Sequence, residues 1–164
     1  MLWFTILGVL VVIGYYIILT RRTKRIRSGM TPSQPKPGVE PISIEEARAK
    51  VKDIIGKGDK LFVEPADTMS QLSEQLGPIT REFFSMYGTV TTRRKGFKLS
   101  ADDIRTSDYI RGFFSIGHSE DWDVVQRPGS DEVFVVEGSE RSESEVDVRF
   151  PSIYHLLVDE AEHS

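Results

Sequence analysis

The chain of 164 residues contains no cysteine, so disulfides, thiolate catalysis and cysteine zinc sites are all excluded, in keeping with a reducing compartment. Charge is missing from one stretch: between Leu2 and Thr20 there is no Asp, Glu, Lys or Arg, and LWFTILGVLVVIGYYIILT is broken only by two glycines and two threonines. Histidine occurs three times, at 118, 155 and 163, and no two have the spacing of a paired-histidine metal motif. There is no GxSxG, no P-loop and no dinucleotide glycine fingerprint, and enzymatic function finds no positive support in the sequence.

The uncharged stretch is itself informative. At a helical rise of about 1.5 Å, nineteen residues reach roughly 28 Å, matching a hydrocarbon core of about 30 Å. Trp3 and Phe4 at one end and Tyr15 and Tyr16 towards the other suit interfacial anchoring. No basic n-region precedes the stretch and no small-residue cleavage site follows it, so residues 1–20 are expected to be a retained transmembrane helix rather than a cleaved signal. Arg21, Arg22, Lys24, Arg25 and Arg27 then place five positive charges in seven residues. By the positive-inside rule they set the N-terminus outside and the remainder in the cytoplasm, at the inner or plasma membrane. This 21–27 cluster can also touch anionic headgroups; a nucleic-acid patch is the alternative, and juxtamembrane position already accounts for it.

Residues 28–42, SGMTPSQPKPGVEPI, hold four prolines and two glycines without a period and read as a semi-extended linker. Residues 43–164 are of ordinary size for one domain. This part carries 15 basic against 24 acidic residues, a formal charge of −9. Such a balance argues against nucleic acid as its ligand and allows a basic partner.

Within the domain, Ser43 and Glu46 form a capping box ahead of Ile44, Ala47, Val51, Ile54 and Ile55 at helical spacing, and Gly56 and Gly58 stop the pattern. After the apolar piece KLFVE, Asp67 is expected to cap a helix through Met69, Leu72 and Leu76. Gly77-Pro78 restarts another with an aromatic face of Phe83, Phe84 and Tyr87. From Gly88 the pattern becomes alternation and turns: TVTT, a basic turn, GFKL, YIRGFFSIG, WDVVQR, EVFVVEG and VDVRF. Pro151-Ser152 opens a last helix through Ile153, Leu156, Leu157 and Ala161. Helices, an antiparallel meander and a closing helix predict an α+β domain.

Chemistry-bearing residues are few. His118 beside Glu120, Asp121 and Asp123 matches no metal-ligand spacing and reads as a solvated turn. Asp102 and Asp103 read as caps after Ser100, and His155 as a partly buried structural residue. Glu120, Asp121, Asp123 and the acidic 137–147 loop are candidates for contact with a partner. No cofactor and no metal is expected.

The element order and three local strings resemble the SUKH superfamily, the Smi/Knr-like domains. QLGPITREFFSMYG stands where that family has a leucine-proline, acidic, aromatic segment closing on Asn-Gly. FFSIGHSEDWDVVQRPGSDEVFVVEG follows its central strands and turn, and Pro151-Ser152-Ile153-Tyr154-His155-Leu156-Leu157 its closing Ser-Phe-x-x-Leu-Leu helix. The departures are Tyr87-Gly88 for Asn-Gly, Pro78 following Gly77 rather than Leu76, and Ile153 for the aromatic. The likeness runs from about Leu61 to Glu162. It implies a SUKH-like sheet packed with helices and a non-catalytic protein-binding role. That role is either immunity against a toxin or that of a regulatory or scaffold adaptor in a membrane or envelope assembly. An enzyme of unrecognised type, built around His118 and its acidic neighbours, is a third reading.

Overall fold

A computed structural model describes residues 42–94, 96–137, 143, 146 and 148–163. The expectations placed on residues 1–41, namely the transmembrane helix, Arg21, Arg22, Lys24, Arg25, Arg27 and most of the linker, lie outside the described residues. Among those described, no helix is long and apolar enough to cross a membrane.

The domain opens as its capping box requires. The Ser43 hydroxyl accepts from the Glu46 amide at 3.2 Å, and helix α1 runs Ile44–Lys57 to a left-handed Gly58. Strand β1 follows at Leu61–Glu64. The segment expected to form a helix from Asp67 instead runs without regular structure to Ser70, whose hydroxyl caps a 3-10 turn at Gln71–Gln75. Ser70 is held from outside by the Ala101 and Ile104 carbonyls, so tertiary bonds, rather than the weak helical spacing of Met69, Leu72 and Leu76, decide the conformation. Helix α2 spans Pro78–Tyr87 with proline in its first turn.

Seven further strands follow: β2 Thr89–Thr92, β3 Lys98–Ser100, β4 Arg105–Thr106, β5 Phe114–His118, β6 Trp122–Gln126, β7 Val133–Glu137 and β8 Val148–Phe150, before α3 at Ile153–Glu162. All pairings are antiparallel, in the order β1-β2-β3-β5-β6-β7-β8, with β4 also on β5. Among the described residues, eight strands packed with three helices make the fold α+β. One element departs from the expected order: β1 lies between α1 and α2 in sequence and joins the sheet through β2.

Why β6 and β7 are apolar almost without alternation is explained by cover on both faces. The Gln126 amide donates to the Thr80 hydroxyl of α2 at 2.7 Å, which marks one face as the helical side. Val125, Phe134 and Val136 point the other way, into a second core with Ile110, Phe113 and Val146. That core corrects the YIRGFFSIG expectation: the strand begins only at Phe114, and Tyr109, Ile110 and Phe113 serve instead as a lid over the sheet. Arg149 lies 5.6 Å over the Phe134 ring and Arg127 5.7 Å over Phe113.

On the helical side one cluster joins all three helices. Phe83 of α2 meets Tyr154 of α3 edge-on at 5.3 Å. Arg48 of α1 lies 5.5 Å over the Tyr154 ring and reaches Glu82 at 2.7 Å. Burial pushes the Tyr154 hydroxyl up to about 12.

The β6–β7 turn contributes a cap in trans. Asp131 accepts from the Ile79 and Thr80 amides at 2.9 and 3.2 Å, supplying α2 with the N-cap that Gly77 lacks. Asp131→Ala is expected to cost about 1 kcal/mol, the usual loss for an N-cap, measured as the urea midpoint at unchanged slope.

Candidate functional site

Two of the three acidic residues expected to meet a partner are where a partner could reach them. Glu120 and Asp121 are exposed at the β5–β6 turn. Asp123 is not: it is 3% exposed, and its carboxylate accepts from the Ser115 hydroxyl at 2.6 Å across the β5–β6 pair. Alternation along β6 turns Asp123 to the lidded face, away from its neighbours in sequence.

Burial raises the Asp123 pKa, opposed first by the Ser115 hydrogen bond and then by Arg105 and His118. The sign of its effect on stability follows. With a folded pKa above the ordinary value of 3.8, the folded state holds the proton more firmly, so stability is greatest below that value and declines as pH rises through the folded pKa. Asp123→Asn, which keeps an acceptor for Ser115, is expected to lose this decline and to equal or exceed the parent stability at neutral pH. Urea unfolding of the full chain in zwitterionic micelles across this range checks it: the gap between the two proteins should widen as pH rises.

His118 closes β5 and lies 3.7 Å from Asp103, which also binds Arg105 at 3.1 Å. These side chains are half exposed, and the three form a chain of polar contacts on the surface. Among the described residues no three His, Asp or Glu side chains gather as metal ligands. Asp102 caps no helix; its carboxylate accepts from the Ser100 hydroxyl, which lowers its pKa. His155 has a structural post: Nδ1 meets the Ser152 hydroxyl at 2.9 Å and Nε2 the Ile42 carbonyl at 3.0 Å, tying the start of the domain to α3.

A second group of exposed side chains is apolar. Among the described residues the exposed large hydrophobic side chains are Phe62, Met69 and Met86, at 48, 41 and 58%. Met69 and Met86 border a groove of about 350 Å³ between the segment after β1 and the last turn of α2, with Val63, Ala66, Phe84 and Tyr87 also lining it. The Ser85 hydroxyl approaches the Met69 sulfur at 3.7 Å. Burial, and then Glu82, raises the Tyr87 pKa, so its hydroxyl stays protonated at neutral pH.

Sequence reasoning missed this groove for identifiable reasons. Met69 was counted into a helix that does not form. Met86 follows Phe83 by one turn and passes for a core position, yet the buried centre of α2 falls on Thr80, Phe83 and Phe84, leaving Met86 beyond its edge. The one usable signal is residue type, since methionine is the side chain adaptable surfaces favour.

No family model matches the chain, and no curated protein or solved structure matches it.

Proposed function

We propose that the chain is a membrane-anchored, non-catalytic protein-binding domain of the SUKH type, an immunity-type protein that binds and neutralises a toxin. The observation that carries the binding role is the groove bordered by two exposed methionines, a recess of mixed polar and apolar lining into which a partner side chain can fit. The QLGPITREFFSMYG string that resembles the family motif is the part of the chain that ends on this groove.

Residues 1–20 anchor the chain, with the N-terminus outside and the domain in the cytoplasm. A flexible linker of about fifteen residues has a root-mean-square reach near 20 Å, so the partner is met close to the bilayer. The charge of −9 on residues 43–164 suits a basic toxin, since complementary charge raises association rates more than affinity. Glu120 and Asp121 are placed to contribute to that field.

The test is co-expression of the full chain with the toxin-like product of the adjoining gene. Immunity requires capture of that product and survival of cells that otherwise die. Loss of the chain should be harmless when the toxin is absent; an envelope defect without any toxin would favour the adaptor reading instead. A reporter fused after Ser164 should be active in the cytoplasm, and activity only outside would overturn the orientation.

A further inference from the structure

We infer that the groove between β1 and the end of α2 seats an apolar side chain carried on a cationic amphipathic segment of the protein partner. This rests on the protein-binding reading and adds to it the site and the chemistry of what docks there.

Two features select the occupant. The first is shape and surface: Val63, Ala66 and Phe84 supply apolar lining, and Met69 and Met86 border the groove. The volume of about 350 Å³ lies at the lower end of the range for small-molecule sites and suits one or two inserted side chains. Unbranched thioether side chains adjust to whichever apolar group enters.

The second is charge. Among the described residues Asp67 is the one charged residue lining the groove; Glu64, next along β1 to the lining Val63, turns to the other face of the strand and does not line it. Arg81, one turn before Ser85, is exposed on α2 but does not line the groove. A segment that buries an apolar residue in the groove therefore places a flanking residue against Asp67. Lysine or arginine there is attracted and carboxylate repelled, which is how paired surfaces reject wrong partners.

The groove is preformed. The Gly88 backbone, at φ 69° and ψ −102°, sits so close to the chain after β1 that a Cβ would lie 2.7 Å from the Glu64 carbonyl oxygen and nearer still to the Ala66 amide nitrogen. The two walls are thus fixed to each other at one end, and docking need not order them first.

Methionine provides the probe. The chain has four, Met1, Met30, Met69 and Met86, two in the groove and two in the N-terminal segment. The full chain, labelled with [13C-methyl]methionine in phosphatidylcholine nanodiscs, is titrated with a short synthetic helix bearing leucine on one face and lysine on the other. A matched helix carries glutamate in place of lysine. The Met69 and Met86 methyl signals should move saturably, with at least about tenfold preference for the lysine peptide, or roughly 1.4 kcal/mol. Asp67→Lys should abolish the preference, and the site is exposed, so the fold is kept. Four results overturn the inference: silent groove methyls, equal response to both peptides, shifts confined to Met1 and Met30, or shifts that track protein concentration without peptide and so identify a second copy as occupant. A Met86→Glu chain that still captures and neutralises its toxin would overturn the groove while leaving the protein-binding reading intact. Failure of the parent chain to capture any toxin would strike that reading instead.

Discussion

Phe83→Ala should be among the most damaging single substitutions in this chain, lowering stability by about 3–5 kcal/mol. Phe83 is fully buried and its ring touches those of Phe84, Tyr87 and Tyr154 at 5.5, 5.2 and 5.3 Å. The loss exceeds simple transfer of a side chain to water, because the ring belongs to a junction of three helices. Tyr154 would lose its edge-on partner while still carrying Arg48 on its other side, and neither α1 nor α3 can close the space without giving up that stack. Against a typical total of about 5–15 kcal/mol, the change is a large fraction, and a melting temperature lower by roughly 10–20 °C is expected. Met86→Ala is the internal comparison. It removes a side chain of similar size that is 58% exposed, and should fall within about 0.5 kcal/mol of the parent. Calorimetry of the full chain in zwitterionic micelles reads both, and similar losses for the two would contradict the division between core and groove.

That pair also marks where the sequence was legible. Elements with a local chemical signature came through: α1 from Ser43 and Glu46, α2 from Gly77-Pro78, α3 after Pro151-Ser152, and the WDVVQ and VFVVE strands from their β-branched runs. Their boundaries are set by groups within a few residues, which a linear reading can see. The failures share the opposite property. The 67–70 segment is held by the Ala101 and Ile104 carbonyls, more than thirty residues away in sequence. Residues 109–113 look like strand because they are apolar, but they are apolar in order to cover one. Asp123 lies among polar letters in GHSEDWD and is buried only because β6 is covered on both faces. The cap on α2 comes from Asp131, which no local motif announces.

The same distinction applies to the candidate site. Charge can be counted, and the −9 of residues 43–164 allows a basic partner without showing where one would bind. Glu120 and Asp121 were readable because turns expose what they carry. The groove was not, since it exists only where the end of β1 and the end of α2 approach each other, and that approach depends on Gly88.

Gly88→Ala should accordingly be the second large effect, at about 3 kcal/mol or more. Two costs combine. A side chain at φ 69° and ψ −102° lies outside the left-handed basin that non-glycine residues tolerate, worth about 1–3 kcal/mol. Its Cβ would also meet the Glu64 carbonyl and the Ala66 amide, both backbone atoms of the groove wall that cannot rotate aside as a side chain would. Gly58 supplies the control. It has the same φ of 69° but a ψ of 19°, inside the left-handed basin, and open space where a Cβ would stand. Gly58→Ala should therefore cost only about 1 kcal/mol and leave the Met69 and Met86 methyl signals in place. Gly88→Ala should move both signals even in the fraction that remains folded, because relieving the clash pushes the two walls apart. If the two alanine variants proved equally stable, the close approach at Gly88 would not be what holds the groove in shape, and its preformed character would be lost as an argument for docking.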